Sequence, residues 1–217
     1  MSSGIPATYQ NFELYDLAAL PDVIAMHQLD GFNVTIPYKE KVIEFLDEID
    51  VTAQKTGAVN CVRVREGKLK GYNTDIIGFE QSLLSFIDSK QVKALVFGSG
   101  GASKAVRYVL SKLQIDFLMV SRNDIKDAIM YADLTESILK EYHLLIHTTP
   151  VGTFPDVQSK LPLPYHLINE RHYAYDLIYN PAKTAFLKSC EQQGARIKNG
   201  YEMLTIQAEE SFNIFTS

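Results

Sequence analysis

The sequence predicts an α/β fold in which helices cover both faces of a parallel sheet. Short apolar runs that suit buried strands alternate along the chain with segments of helical periodicity. A glycine-rich loop stands between one such strand and the helix that follows, and polar residues at 85–92 separate two α/β units. Because parallel strands need crossover connections, this alternation is typical of a parallel sheet covered by helices.

The first unit is predicted to contain strands, helices and one hairpin. Apolar and polar residues alternate over 9–14, which indicates a strand, and Asp16 is a suitable N-cap for a helix that ends near Leu29. Residues 32–36 are rich in β-branched side chains and precede a proline, as at a strand end, whereas 39–49 has apolar residues at helical spacing. The remaining predicted elements are a hairpin of 60–64 and Lys68–Tyr72 around Glu66-Gly67, and a helix over 76–87.

The second unit begins near Gln91 and repeats the strand–helix order. Its predicted strands are Ala94–Phe97, 117–120, Leu144–His147 and 174–178. Its predicted helices run from the glycine-rich loop to Leu113, over 135–142 and over 184–193, and a last amphipathic helix covers 201–215.

Composition excludes several classes of function. The 217 residues carry 21 basic and 26 acidic side chains, a net charge of −5 that argues against nucleic acid as a partner. No apolar stretch approaches the roughly 18 residues of a membrane span, and the N-terminus lacks a signal-peptide pattern. Cys61, Cys190 and the five histidines show no metal-ligand spacing. We therefore expect a cytoplasmic protein with free thiols, no metal and no membrane partner.

The glycine-rich loop is the most specific chemical motif. Gly98, Gly100 and Ser103 form G-x-G-x-x-S between a predicted strand and a predicted helix. The first glycine permits the tight turn, the second lets the backbone approach a pyrophosphate, and the small third residue lets helix and strand pack closely. The helix N-terminus then offers free N–H groups to phosphates. An ordinary glycine-rich turn is the alternative, but this setting favours a Rossmann-like dinucleotide site.

The residues after the next strand bear on the choice of dinucleotide. That strand ends in Ser121-Arg122-Asn123-Asp124, so Arg122 is available to a 2′-phosphate, which favours NADP. Asp124 instead suits the 2′-hydroxyl of NAD, which makes NAD the less favoured alternative.

A lysine and an aspartate are candidates for proton transfer. Asn33, Thr35 and Lys39 lie at the end of a predicted strand, and Asp75 opens a predicted helix. A lysine whose pKa is lowered by burial can act as an acid or base at a carbinol oxygen. From spacing alone, however, a solvated lysine and a helix N-cap explain Lys39 and Asp75 better.

Seven segments, in order along the chain, form a larger pattern. They are NVTIPYK at 33–39, GAVN at 57–60, GYNTDIIG at 71–78, GSGGAS at 98–103, TTPVG at 148–152, DLIYNP at 176–181, and NGYEML at 199–204 with Gln207. In these segments the sequence resembles the shikimate dehydrogenase family from about Tyr9 to Phe215. A collinear match of this length removes most of the weight from the simpler explanation of Lys39 and Asp75.

The resemblance implies a two-domain dehydrogenase. A Rossmann-like NADP-binding domain would span 89–199, and a smaller α/β substrate-binding domain would span 1–88 and be completed by a returning C-terminal helix at 200–217. The implied reaction is the reversible reduction of 3-dehydroshikimate by NADPH, in chorismate and aromatic amino-acid biosynthesis. The implied partner is that small molecule, in a monomer or homodimer.

The resemblance also implies roles for individual residues. Lys39 and Asp75 would be catalytic. The implied substrate-binding residues are Asn33, Thr35, Asn60, Tyr179 and Gln207. The implied cofactor-binding residues are Gly98, Ser99, Gly100, Gly101, Ala102, Ser103, Ser121, Arg122, Asn123, Thr148, Thr149, Gly200 and Met203.

The N-terminus departs from the family pattern. Family members usually begin with a strand and helix that carry a Ser-x-Ser motif for the substrate carboxylate, whereas here only 1–8 precede Tyr9, and Ser2 and Ser3 do not match the motif. A truncated sequence, a rearranged sheet and a partner chain that fills the gap are three explanations. We expect a raised KM for shikimate with cofactor binding intact. An NAD-using quinate/shikimate dehydrogenase and a cofactor-binding protein with impaired catalysis are the alternative functions.

Overall fold

A computed structural model describes residues 4–217, so Ser2 and Ser3 lie outside the described residues. The first sheet is mixed and has the order β1-β3-β4-β2, with β3 antiparallel to β1 and to β4, and β2 parallel to β4. Its strands are β1 (Gly31–Asn33), β2 (Glu48–Ile49), β3 (Cys61–Arg65) and β4 (Lys68–Tyr72), and its helices are α1 (Leu20–His27), α2 (Val51–Thr56) and α3 (Thr74–Leu84).

The second sheet is parallel throughout and has the order β10-β9-β8-β5-β6-β7. Its strands are β5 (Ala94–Phe97), β6 (Phe117–Ser121), β7 (Ala128–Met130), β8 (Leu144–His147), β9 (Tyr173–Asp176) and β10 (Arg196–Lys198). The helices that follow are α4 (Gly101–Lys112), α5 (Glu136–Glu141), α6 (Ala185–Glu191) and α7 (Tyr201–Thr216). The predicted α/β architecture with a Rossmann-like parallel sheet is confirmed.

Two apolar clusters cover the two faces of the second sheet. One joins Val96 and Ile146 to α4 and α3, and the other joins Leu95 and Leu145 to α6. The helix α3 belongs to this core although it follows the first sheet in sequence: the Phe79 ring lies edge-on to Tyr175 of β9 at 5.4 Å between centroids. The C-terminal helix α7 packs along α3, so the two sheets share these helices.

The first sheet has a smaller core of its own. Its buried members are Leu17, Leu20, Val34, Val42, Ala53, Val59 and Val62. The hairpin predicted around Glu66-Gly67 is present as β3 and β4, with Arg65 opposite Lys68.

Two predicted elements of the first unit are wrong. Residues 9–14 form no strand, because no partner strand from the described part of the chain lies beside them, and Tyr9 and Phe12 remain 73% and 37% exposed. Residues 39–49 do not form one helix: a 3₁₀ turn at Lys41–Phe45 gives way to β2. The amide of Asp47 donates to the Leu69 carbonyl at 2.9 Å, so pairing with β4 overrides the helical pattern.

Three short elements were not predicted from the sequence. They are α2, β7 and β10. The signals for α2 were nevertheless present, since Asp50 accepts from the Thr52 amide at 2.9 Å as its N-cap and Gly57 ends it in the left-handed region at φ +60°. Among the described residues, no helix combines the length and the apolar character needed to cross a bilayer.

Candidate active site and nucleotide site

The structure brings Lys39 and Asp75 together. Lys39 Nζ lies 2.7 Å from Asp75 Oδ2, and the two side chains are 18% and 13% exposed. Lys39 lies after the loop that leaves β1, and Asp75 lies in the first turn of α3, where a carboxylate is favoured by the helix dipole. A partly desolvated ammonium–carboxylate pair is a suitable device for moving a proton at a polar substrate.

Asn60 organises the buried side of this pair. Its Nδ2 donates to Asp75 Oδ1 at 3.0 Å and to Thr74 Oγ1 at 3.0 Å, and its Oδ1 accepts from the Thr74 amide at 2.7 Å. Because Asn60 engages Oδ1 of Asp75, the other carboxylate oxygen remains for Lys39. The amide therefore fixes both the start of α3 and the orientation of the carboxylate.

The helix α7 supplies the next polar groups. Gln207 Oε1 accepts from Thr74 Oγ1 at 3.3 Å and lies 3.5 Å from Asn60 Nδ2. One turn later, Ser211 is buried and its Oγ lies 3.1 Å from Thr74 Oγ1. A Cβ on Gly78 of α3 would come 2.7 Å from the Met203 carbonyl, so glycine permits this close helix contact. The predicted residues Asn60, Asp75 and Gln207 thus lie in one network.

The other predicted substrate residues lie around this network. Asn33 Nδ2 donates to Ser211 Oγ at 3.0 Å and to the Asn60 carbonyl at 3.2 Å, whereas Thr35 is exposed on the loop after β1. Tyr179, after β9, is 48% exposed. A cleft of about 900 Å³ reaches Asn33 and Thr35 and is otherwise lined by 8–15, α1 and the loop that follows β1. Lys39 and Asp75 do not line that cleft.

The glycine-rich loop at 98–103, called the nucleotide loop below, has the conformation that its sequence predicts. Gly98 adopts φ +110°, and a Cβ there would lie 2.6 Å from Thr149 Cγ2 and 2.8 Å from Thr148 Oγ1. By contrast, a Cβ on Gly100 or Gly101 would meet no atom within 4 Å, which leaves an open cradle. Gly100 caps α4 without a side chain, so the N–H groups of Gly101 and Ala102 are available to a phosphate. Buried Ser103 donates to the Gly100 carbonyl with both its hydroxyl, at 2.7 Å, and its amide, at 3.0 Å.

The remaining predicted cofactor residues line the carboxyl end of the second sheet. Ser121 Oγ accepts from the Asn123 amide at 3.2 Å, and Arg122 is exposed beside it. Burial raises the pKa of nearby Tyr131 to about 12, against the opposing charge of Arg122. Thr148 Oγ1 donates to the Phe97 carbonyl at 2.8 Å.

The start of α7 lies close to the loop after β9. A Cβ on Gly200 would come 2.0 Å from the Leu177 carbonyl, so only glycine fits there. Met203, one turn along, is buried against α3.

An ion pair connects α4 to the segment that carries Lys39. Lys104 Nζ, in the first turn of α4, lies 2.8 Å from Glu40 Oε1, and Glu40 is the neighbour of Lys39. Sequence reasoning missed this pair, and it also missed Thr74, Ser211 and the buried His147. Ser211 had a readable signal, because it follows Gln207 by one helical turn and therefore shares its face. Cys61, next to this network, is a free buried thiol whose pKa burial raises to about 12.

The fold and site together define a class of protein. A parallel sheet with an open glycine-rich loop at a helix N-terminus, together with a lysine–aspartate pair among amides and hydroxyls, is that of a dinucleotide-dependent oxidoreductase acting on a small polar molecule. Comparison with known proteins identifies the family. The family model described as "Shikimate dehydrogenase substrate binding domain" matches residues 1–62.

Relatives that cover nearly the whole chain extend this match. Shikimate dehydrogenase (NADP(+)) of Caldicellulosiruptor bescii is 39% identical over 95% of this chain and 78% of its own length. A chorismate mutase/shikimate 5-dehydrogenase fusion protein from Clostridium acetobutylicum has a TM-score of 0.85 and 34% identity over 98% of this chain and 81% of its own. Shikimate 5-dehydrogenase from Thermus thermophilus, solved with NADP(H) and shikimate, has a TM-score of 0.81 and 32% identity over 93% and 79% of the two chains. The chain belongs to the shikimate dehydrogenase family.

Proposed function

We propose that this chain interconverts 3-dehydroshikimate and shikimate with NADP(H), and that Lys39 and Asp75 carry the proton transfer. The observation that carries the assignment of residues is the 2.7 Å contact of Lys39 with Asp75 inside a set of neutral donors and acceptors. Such a set suits a polyhydroxylated ring, because an analogue that lacks a hydroxyl leaves buried polar groups unpaired. The names of the relatives from Caldicellulosiruptor and Thermus support both the substrate and the cofactor.

In the proposed mechanism, Lys39 donates a proton to the ketone oxygen of 3-dehydroshikimate while hydride reaches the carbonyl carbon. Bound NADPH supplies that hydride. Asp75 holds the ammonium in place and stabilises its charge before the transfer, and in the reverse direction the neutral amine accepts the hydroxyl proton of shikimate. Asn60, which orients Asp75, and Gln207, which accepts from Thr74, bind ring hydroxyls of the substrate.

We also propose which part of the chain binds the substrate and which binds the cofactor. Residues 1–88 with 200–217 form the substrate-binding domain, and 89–199 form the NADP-binding domain. Packing of α7 along α3 supports the return of the C-terminal helix. The exposed Arg122 at the end of β6 supports pairing with the 2′-phosphate of NADP.

The test is an assay of NADPH formation from NADP and shikimate, beside calorimetric binding of NADP. Lys39→Ala is expected to lower kcat by about 10²–10⁴ because a positioned proton donor is lost, while NADP affinity stays unchanged. Lys41→Ala is the matched control, since Lys41 is an exposed lysine in the same segment.

Two results would contradict parts of this proposal. Near-normal turnover by Lys39→Ala would remove Lys39 from the mechanism. NADP binding without turnover by the unaltered chain would instead identify a cofactor-binding protein. Parallel assays with NAD and with quinate test the cofactor and the acid.

A further inference from the structure

A buried polar cluster lies at the carboxyl ends of β8 and β9, behind the nucleotide loop. His147 and Asp176 are opposite each other in the sheet register, and both are fully buried. His147 Nδ1 lies 3.1 Å from Asp176 Oδ1. The nucleotide site and the proton-transfer pair described above use neither side chain directly.

Asp176 is held by donors from the next segments of the chain. Its Oδ1 accepts from the Ile178 amide at 3.0 Å, and its Oδ2 accepts from Thr184 Oγ1 at 2.5 Å. Thr184 in turn caps α6, because its Oγ1 accepts from the Leu187 amide. The hydroxyl proton of Thr184 is therefore directed at Asp176, and the carboxylate cannot rotate without losing these bonds.

The carboxylate determines which nitrogen of His147 carries the proton. Nδ1 lies 3.1 Å from Oδ1 but makes no hydrogen bond of normal geometry with the described residues, and the ring also lies 5.3 Å from the Phe186 ring between centroids. The charge of the carboxylate still favours hydrogen on Nδ1, since a lone pair there would face a negative oxygen in a fully buried site. With the proton on Nδ1, the other ring nitrogen is an acceptor.

That acceptor meets Thr149, one of the predicted cofactor residues. His147 Nε2 lies 2.6 Å from Thr149 Oγ1, and with hydrogen on Nδ1 the threonine hydroxyl is the donor of this hydrogen bond. The same oxygen accepts from the Val151 amide at 3.2 Å, and the Thr149 methyl group lies against Gly98 of the nucleotide loop. The hydroxyl hydrogen thus points into the protein, and the oxygen has only acceptor capacity left for the cleft.

We propose that His147 and Asp176 are positioning residues that hold Thr149 as a hydrogen-bond acceptor beneath the nucleotide loop. The group that Thr149 then recognises is a donor of the dinucleotide, a ribose hydroxyl or the carboxamide N–H, and not a phosphate oxygen. This inference rests on the proposed NADP-dependent function. In this proposal, His147 and Asp176 take no part in the reaction but determine that Thr149 accepts, rather than donates, a hydrogen bond from the cofactor.

The first test reads the tautomers directly by ¹⁵N NMR of histidine-labelled protein. His147 is expected as the Nδ1–H tautomer. His172 is the internal reference of opposite type, because its Nδ1 accepts from the Asn169 amide at 3.1 Å and its Nε2 lies 3.0 Å from the Leu139 carbonyl. Asp176→Asn is expected to shift His147 toward Nε2–H and to leave His172 unchanged. A protonated Nε2 on His147 in the unaltered chain would overturn the proposal.

The second test is a double-mutant cycle on NADP binding, measured by calorimetry. Asp176→Asn is expected to weaken binding by about 2- to 10-fold, the effect of one hydrogen bond, and to have no further effect in a Thr149→Val background. A loss of equal size in both backgrounds would show a structural role alone and would overturn the proposal.

A second pair of variants leaves the buried pair intact, should Asp176→Asn fail to fold. Thr149→Ser is expected to bind NADP nearly as the unaltered chain does, and Thr149→Val more weakly. Equal affinities of these two variants would likewise overturn the proposal. Failure of the unaltered chain to bind NADP would contradict the proposed function, and the NMR experiment would still decide the arrangement of His147, Asp176 and Thr149.

Discussion

The two sheets of this chain differ in how they are stabilised. In the second sheet, every residue of β5 and β8 is buried, and apolar clusters cover both faces. The strands of the first sheet are two to five residues long and half-buried in large part, and its core is one small cluster. A parallel sheet must be covered on both faces, whereas a mixed sheet with antiparallel hairpins tolerates solvent on one.

The difference is greatest where the chemistry lies. Around Asp75 the buried side chains are polar: Asn60, Asn73, Thr74 and Ser211 replace the apolar residues that fill the other half. Their burial is offset by hydrogen bonds rather than by apolar contact, except at Asn73 Oδ1, which has no hydrogen-bond partner among the described residues. The first sheet therefore borders a buried polar network where the second has apolar core, and the second sheet with the helices it shares supplies most of the apolar stabilisation.

Truncating one leucine in each sheet should give the largest measurable contrast. Leu145→Ala, in the fully buried β8, is expected to lower the free energy of unfolding by about 2–5 kcal/mol because a cavity remains. Leu69→Ala, on the half-buried β4, should cost distinctly less. Urea unfolding followed by circular dichroism measures both. Equal losses would mean that the first sheet is packed as tightly as the second.

Alanine substitutions at Gly98 and Gly100 compare a strained with an unstrained position of the nucleotide loop. Gly98→Ala is expected to cost about 1–3 kcal/mol of stability, because its φ of +110° is strained for alanine and the new Cβ meets Thr148 and Thr149. It should also abolish measurable NADP binding. Gly100→Ala has room for its Cβ and should fold normally, so it reports only on the approach of the cofactor. Thermal unfolding and calorimetry separate the two, and a Gly98→Ala protein of full stability would contradict the strain expected for alanine in this turn.

The ion pair of Lys104 with Glu40, next to Lys39, should have the smallest effect. Lys104 and Glu40 are both partly exposed, so the pair contributes little. Lys104→Ala is expected to change the activation free energy derived from kcat/KM by no more than about 1 kcal/mol, and by less at high salt. Lys112→Ala is the control, since it removes another ion pair between the same two halves, that of Lys112 with Glu80, near the other end of α4 and away from Lys39. A large loss with Lys104→Ala alone would show that this pair holds the two halves in their working arrangement.

Much of the second half could be predicted from the sequence, because its signals are local. The strand at Leu144–His147 and the turn at Gly98 depend on runs of adjacent residues. The contact of Lys39 with Asp75 depends on how the β3–β4 hairpin between them folds. The separation of the two residues in sequence does not reveal this, so only the family resemblance predicted the contact. His147 and Asp176 likewise meet only through the register of two strands that are far apart in sequence. The strand predicted at 9–14 failed because alternation specifies a face but not a partner.

The helix α3 is fastened at both of its ends. Asn60 ties its first turn to β3, while the Ser82 hydroxyl, near its last turn, accepts a hydrogen bond from Tyr175 of β9 at 2.8 Å. The two attachments therefore serve different sheets. Asp75 lies at the end of α3 that Asn60 fixes to the first sheet, and Lys39 follows a strand of that same sheet, so the groups that set the spacing of Lys39 and Asp75 all belong to one sheet. The opposite end of α3 carries the contact with the parallel sheet.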